Sequence, residues 1–167
     1  MAELKKIVLH CSDTLEGDVN SFRKYHMETL GWRDVGYNGV VLNGYAGMGG
    51  YRPIVDGYFE IGRGFDLDSV IDSKEQGAHA FGYNGESLGF CLVGKKHFTI
   101  KQFQTILHLC KFFKSAHPGI DTLGHCELTD KKTCPNFDMK AFRQLLMGND
   151  FSDVAVVTFM QPSVVCW

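Results

Sequence analysis

Lys6-Ile7-Val8-Leu9-His10 is a short β-branched and apolar run that opens into the polar stretch Ser12 to Asn20. A run of that length reads as a buried strand with His10 at its carboxyl end. Working outward, Asn38 to Asn43 and Gly57 to Ile61 also read as strands, and Ser87 to Val93, ended by Gly94, as a central one. Asp121 to Gly124 is the last, and it delivers His125 to a sheet rim.

Helical spacing fills the gaps between strands. Phe22, Tyr25, His26 and Leu30 share one face, with Asn20 or Ser21 able to cap the start and Gly31 to end the helix. Thr99-Ile100-Lys101-Gln102 has the form of a capping box, and Phe103, Ile106, Leu107, Cys110 and Phe113 follow as a buried stripe that Pro118-Gly119 stops. A third helix runs from about Asp138 through Phe142, Leu145 and Leu146 to Gly148. Strands interleaved with helices predict an α/β (α+β) domain with one central mixed sheet flanked by helices. Strand order is not readable from the pattern.

Chain length and composition bound the rest. The 167 residues, 44% hydrophobic and 13% aromatic, suit one core and no linker-separated second module. The expected division is a domain over 1–150 and a tail over 151–167 that joins it or is disordered, with Val154 to Phe159 a candidate edge strand. The glycine-rich stretch Gly44 to Tyr51 lacks periodicity and is expected to be a mobile loop able to shape a groove. Seventeen basic against nineteen acidic residues, a net charge of -2, leave no electrostatic footprint for nucleic acid or an anionic membrane. Neither the N-terminus nor any later run is long and apolar enough for a signal peptide or a membrane span, so the expectation is a cytoplasmic chain. In that setting the six cysteines read as reduced thiols.

Reduced cysteine is a metal ligand in waiting. His10 and His125 each lie where a strand runs into a loop, the position from which open sheets present functional groups. His26, His97, His108 and His117 have no such recruitment. Alternation along a strand turns Cys11 and Cys126 away if His10 and His125 face a metal. Cys134, in Lys132-Thr133-Cys134-Pro135, is then the natural thiolate, against the plainer reading of a small buried residue. Two histidines and one cysteine leave tetrahedral zinc a free fourth position, the arrangement of catalytic sites. Lys132 adds a cation that would favour the thiolate and a developing oxyanion.

These residues fall into blocks that resemble a known family. Val8 to Thr14, Gly31-Trp32-Arg33-Asp34-Val35-Gly36-Tyr37-Asn38, Gly77 to Asn84 continuing to Ser87 through Gly94, and Gly124 to Phe137 occur in the order seen in zinc-dependent N-acetylmuramoyl-L-alanine amidases of the bacteriophage T7 lysozyme type, which are related to peptidoglycan recognition proteins. The resemblance covers roughly residues 5 to 145. It implies one zinc ion on His10, His125 and Cys134, with Tyr37 and Lys132 as the catalytic side chains. It also implies a groove for peptidoglycan, to which His79 and Asn38 are assigned. The amide between muramic acid and L-alanine would be cut by a monomeric endolysin that accumulates in the producing cell and reaches the wall after release. Asn38 stands where the phage enzyme has histidine, and the loop from Gly44 to Gly57 is longer than in compact members, two departures that bear on substrate fit; Cys91 stands where another branch has a glutamate base, so that base does not carry over.

Three rival readings accompany this one. A relative lacking the third thiolate would bind peptidoglycan without cleaving it. Cys11 would be the nucleophile of a cysteine peptidase, given a base and a depressed pKa. A regulatory protein partner is known for some relatives, and no residue here reports one.

Overall fold

The computed structural model describes residues 1–45 and 49–148. Its elements in chain order are β1 (Ala2–Glu3), β2 (Lys6–Cys11), α1 (Val19–Glu28), β3 (Gly39–Asn43), β4 (Asp56–Ile61), β5 (Val70–Ile71), β6 (Ser87–Leu92), α2 (Ile100–Ala116), β7 (Asp121–Gly124) and α3 (Met139–Met147), with a 3₁₀ turn over His125–Glu127 after β7. The candidate edge strand Val154 to Phe159 and the tail beyond it lie outside the described residues, as do positions 46–48 of the glycine-rich stretch.

Five strands form one sheet in the order β4-β3-β6-β2-β7. The pairs β2–β6, β2–β7 and β3–β6 are parallel and β3–β4 is antiparallel. The mixed sheet is the one the sequence predicts. A separate antiparallel pair joins β1 to β5; two-residue strands carry no periodicity from which to foresee them.

Period-two alternation divides the core. Ile7, Leu9, Val41, Leu88, Phe90 and Leu92 point to one face, where they meet Phe103, Ile106, Leu107, Cys110 and Phe113 of α2 and Phe142 and Leu146 of α3. Val40, Leu42, Cys91 and Val93 point to the other, against Val19 and Phe22 of α1. The central strands β2 and β6 are covered on both faces, which is why they read as nearly unbroken apolar runs. His10 pairs in register with Cys91 and so belongs to the α1 face, at the carboxyl end of β2.

The caps set the helix starts. Thr99 and Gln102 form the expected capping box of α2. Gln102 is itself buried, and its Nε2 donates to the carbonyls of Val41 and Val93 at 2.9 Å each, which ties the helix to the sheet. Asp138 caps α3, its Oδ1 accepting the Ala141 N–H at 3.1 Å. The cap of α1 is Asp18 rather than Asn20 or Ser21: the Ser21 N–H donates to Asp18 Oδ1 at 2.7 Å, and the Ser21 hydroxyl accepts from the Asp18 N–H at 2.8 Å. Ser21 is therefore the third-position partner of the box, and the helix begins one turn's fraction earlier.

Candidate metal centre and active-site cleft

Three elements bring the metal-ligand candidates together. His10 ends β2, His125 opens the 3₁₀ turn after β7, and Cys134 follows in the loop leading to α3. Their ligand atoms all lie within 4.8 Å of one another. Cys134 Sγ is 3.4 Å from His125 Nδ1 and 3.9 Å from His10 Nδ1. Tetrahedral zinc, with bonds of about 2.0 to 2.3 Å, separates its ligand atoms by roughly 3.3 to 3.7 Å, so the donor set and its spacing fit that ion. No other cluster of metal-ligand side chains occurs among the described residues.

The turn of His125 and the loop of Cys134 are braced by their neighbours. Gly124 has no Cβ, and one placed there would lie 2.7 Å from Pro135 Cδ; its absence lets Pro135 pack on the end of β7. The Cys126 N–H donates to the Cys134 carbonyl at 2.9 Å. Glu127 accepts the Gly124 N–H at 2.8 Å and is gripped by both terminal nitrogens of Arg143, at 2.8 Å each, which ties the His125 turn to α3. Asn136 Nδ2 donates to the Lys95 carbonyl at 2.7 Å and reaches Cys11 Sγ at 3.3 Å.

Cys11 joins the α2-side core, as strand alternation requires. Its thiol nevertheless reaches Cys134 across the strand end. That contact, together with burial, pushes the Cys11 thiol far above its ordinary pKa. A raised thiol pKa is the reverse of what a Cys11 nucleophile needs. Cys11, Cys91, Cys110 and Cys134 are free.

The triad lies at the floor of a cleft of about 1090 Å³. Tyr37, His79 and Lys132 line it together with the three ligand candidates. The Tyr37 ring is 5.4 Å from that of His10, centroid to centroid. Burial raises the phenol well above its usual pKa, so it is a proton donor at neutral pH. Lys132 is exposed at the cleft wall, and its charge is among those that lower the pKa of His10, after burial itself. Cys91 is fully buried beside the Tyr37 phenol, and burial raises its thiol well above the ordinary range. It does not replace the glutamate base of the other branch.

Asn38 does not reach the cleft. It is fully buried, its Oδ1 accepts the Gly89 N–H at 2.9 Å, and its Nδ2 donates to the Glu75 carbonyl at 2.7 Å. A substrate contact was expected there; the side chain instead splices the Tyr37 loop onto β6. None of the described residues of the glycine-rich stretch lines the cleft either.

Two positioning residues have no sequence signal of their own. His26 Nδ1 accepts the Gly36 N–H at 3.0 Å, and its ring lies 5.6 Å from Tyr37. Arg63 is buried, with Nε donating to the Val35 carbonyl at 2.7 Å and its backbone N–H donating to the Tyr37 carbonyl at 2.9 Å. A histidine at helical spacing reads as a helix-face residue until the loop it supports is placed.

A mixed sheet flanked by helices is a fold found in solved amidase structures. The structure shares that fold with LysCS, the endolysin amidase of Clostridium intestinale URNW, at a TM-score of 0.67 and 19% identity over 86% of this chain and 84% of that one. The endolysin of Klebsiella phage KP32 is 33% identical over 149 residues, 83% of this chain and 84% of the relative. That of Escherichia phage T7 is 32% identical over 145 residues, 80% and 82% of the two chains. No family model matches the sequence. The chain belongs to the T7-type family of phage endolysins.

Proposed function

We propose that this endolysin is a zinc-dependent amidase that hydrolyses the bond between N-acetylmuramic acid and L-alanine in peptidoglycan. Peptidoglycan cleavage follows from its family; the metal and the residue roles are our reading of the site. The observation that carries them is the convergence of Cys134 Sγ with both imidazoles at the cleft floor.

His10, His125 and Cys134 would hold one zinc ion. When bound, it supplies Lewis acidity and a water of lowered pKa at the open fourth position. Lys132, exposed at the cleft wall, would offset the negative charge that develops on the scissile carbonyl oxygen as the carbon becomes tetrahedral. Tyr37, held protonated by burial, would donate its phenolic hydrogen bond to the same centre. The loop that bears it is fixed from three sides by His26, Arg63 and Asn38, so its orientation does not have to be found during the reaction.

A purely recognition role gains nothing from a third ligand, and the geometry of Cys134 supports the catalytic reading. Among the described residues no helix is long and apolar enough to cross a membrane. We place the protein as a monomer made in the cytoplasm that meets the wall after release. Metal analysis of protein purified without added zinc, paired with product analysis on one defined muropeptide, tests the proposal. The expected result is about one zinc per chain and a released peptide with a free L-alanine amino group. Cleavage that persists after chelation and metal-free dialysis would overturn it.

A further inference from the structure

His79 is buried, and His10 is its nearest polar partner across the sheet face. Its Nε2 lies 3.4 Å from the Ser87 carbonyl oxygen and 3.5 Å from the Ser87 hydroxyl. That hydroxyl already spends its proton on the Tyr83 carbonyl at 2.8 Å. Nε2 therefore faces two acceptors and must carry the ring hydrogen, which leaves Nδ1 as a lone pair. Nδ1 of His79 is 3.1 Å from Nε2 of His10. For that contact to be a hydrogen bond, His10 must hold its proton on Nε2, and its own Nδ1 is then the free lone pair turned toward Cys134.

The backbone is cut to admit this ring. A Cβ at Gly89 would lie 2.3 Å from His79 Cγ and 2.7 Å from its Nδ1. A Cβ at Gly77 would lie 2.6 Å from His79 Cδ2. Gly89 is in register with Val8 on β2, two residues before His10, so the hollow it leaves lies beside the ligand. The main chain of His79 is pinned as well, its N–H donating to Asn84 Oδ1 at 2.9 Å.

We propose that His79 is a positioning residue: through the chain Ser87 carbonyl, His79, His10, it locks His10 in the Nε2–H tautomer and presents Nδ1 to the metal. This rests on the zinc reading above and assigns His79 a role beyond lining the groove. Outer partners of this kind typically govern metal affinity by about 10- to 100-fold.

The test has two arms. Zinc affinity, measured by competition with a chromogenic chelator, is expected to fall by about 10- to 100-fold in His79→Ala. His79→Asn, whose carbonyl oxygen can stand in for the Nδ1 lone pair, should recover most of that loss. With zinc saturating, KM for a muropeptide should stay near that of the unaltered protein, whereas a substrate-contact role would raise it. A folded His79→Ala protein with undiminished zinc affinity overturns the proposal, as does a raised KM with unchanged affinity. Nitrogen-15 NMR of the unaltered, metal-free protein is the second arm and needs no variant to fold. It should show His10 protonated at Nε2; protonation at Nδ1 overturns the proposal. A wild-type protein that took up no zinc would sink the metal reading and leave this tautomer measurement to decide the role of His79.

Discussion

Cys134 Sγ sits 3.4 Å from His125 Nδ1, and both lie against a histidine from the other end of the chain. Only the parallel pairing of β2 with β7 makes that possible, because it lays the carboxyl ends of two distant segments side by side. Losing one corner of a three-residue site should therefore cost metal and catalysis together. Cys134→Ala and His125→Ala are each expected to lower bound zinc and peptidoglycan turnover in parallel, with far-ultraviolet circular dichroism little changed. A Cys134→Ala protein with full zinc occupancy would mean that another thiol, Cys11 being nearest, is the true ligand.

The two cleft side chains should behave differently from the ligands. Lys132→Ala and Tyr37→Phe remove a charge and a hydroxyl without touching a donor atom. Each is expected to keep its zinc and fold while losing about 10²- to 10³-fold in turnover, the usual cost of deleting one partner of a developing oxyanion. Single-turnover rates on a defined muropeptide, with metal content measured on the same samples, check this. Full rates in both variants would remove them from the chemistry.

What could be read in advance, and what could not, follows from range. His10 and His125 are legible because each follows from the end of a strand whose boundary needs only local periodicity, and Cys134 because it is the thiol in the loop beyond His125. The stripe of α2 is legible for the same reason. Asn38 is not legible as a loop brace because adjacency to Tyr37 in sequence says nothing about which way a loop residue turns; the neighbour it serves, Gly89, is 51 positions away. His26 and Arg63 are invisible for a similar reason, since their partners are backbone groups of a loop that has no place until the sheet is assembled. The shift of the α1 cap to Asp18 is a local error of another kind: serine suits both the cap and the third position of a capping box, and only the hydrogen bonds tell which it occupies.

The hollow at Gly89 gives a prediction that stands apart from catalysis. Gly89→Ala would force a methyl to within 2.3 Å of the His79 ring, and the closest atom belongs to a packed imidazole rather than a flexible chain end. Overpacking of that sort costs about 1 to 3 kcal/mol. Chemical denaturation should show the midpoint lowered with its slope unchanged. A neutral result would mean that the imidazole moves aside at little cost.

Acid should weaken the fold through histidine. His26 accepts the Gly36 N–H and so must be neutral, and burial, followed by the nearby charge of Arg63, holds its pKa below the ordinary imidazole value. The unfolded chain takes up its proton near the ordinary imidazole pKa of roughly 6.5, before the folded chain does. The contribution of this group to stability is thus complete above about pH 6.5 and is lost as pH falls from there through the folded value. His10 and His79, whose pKa values burial also lowers, act in the same direction when metal is absent. The thermal midpoint of the chelated protein is expected to drop between about pH 7.5 and about pH 5. His26→Asn offers a carbonyl oxygen to the same N–H without titrating, and it should remove part of that slope. An identical slope in the variant would show that the acid sensitivity lies wholly with the cleft histidines, and that the Tyr37 loop keeps its anchor at low pH.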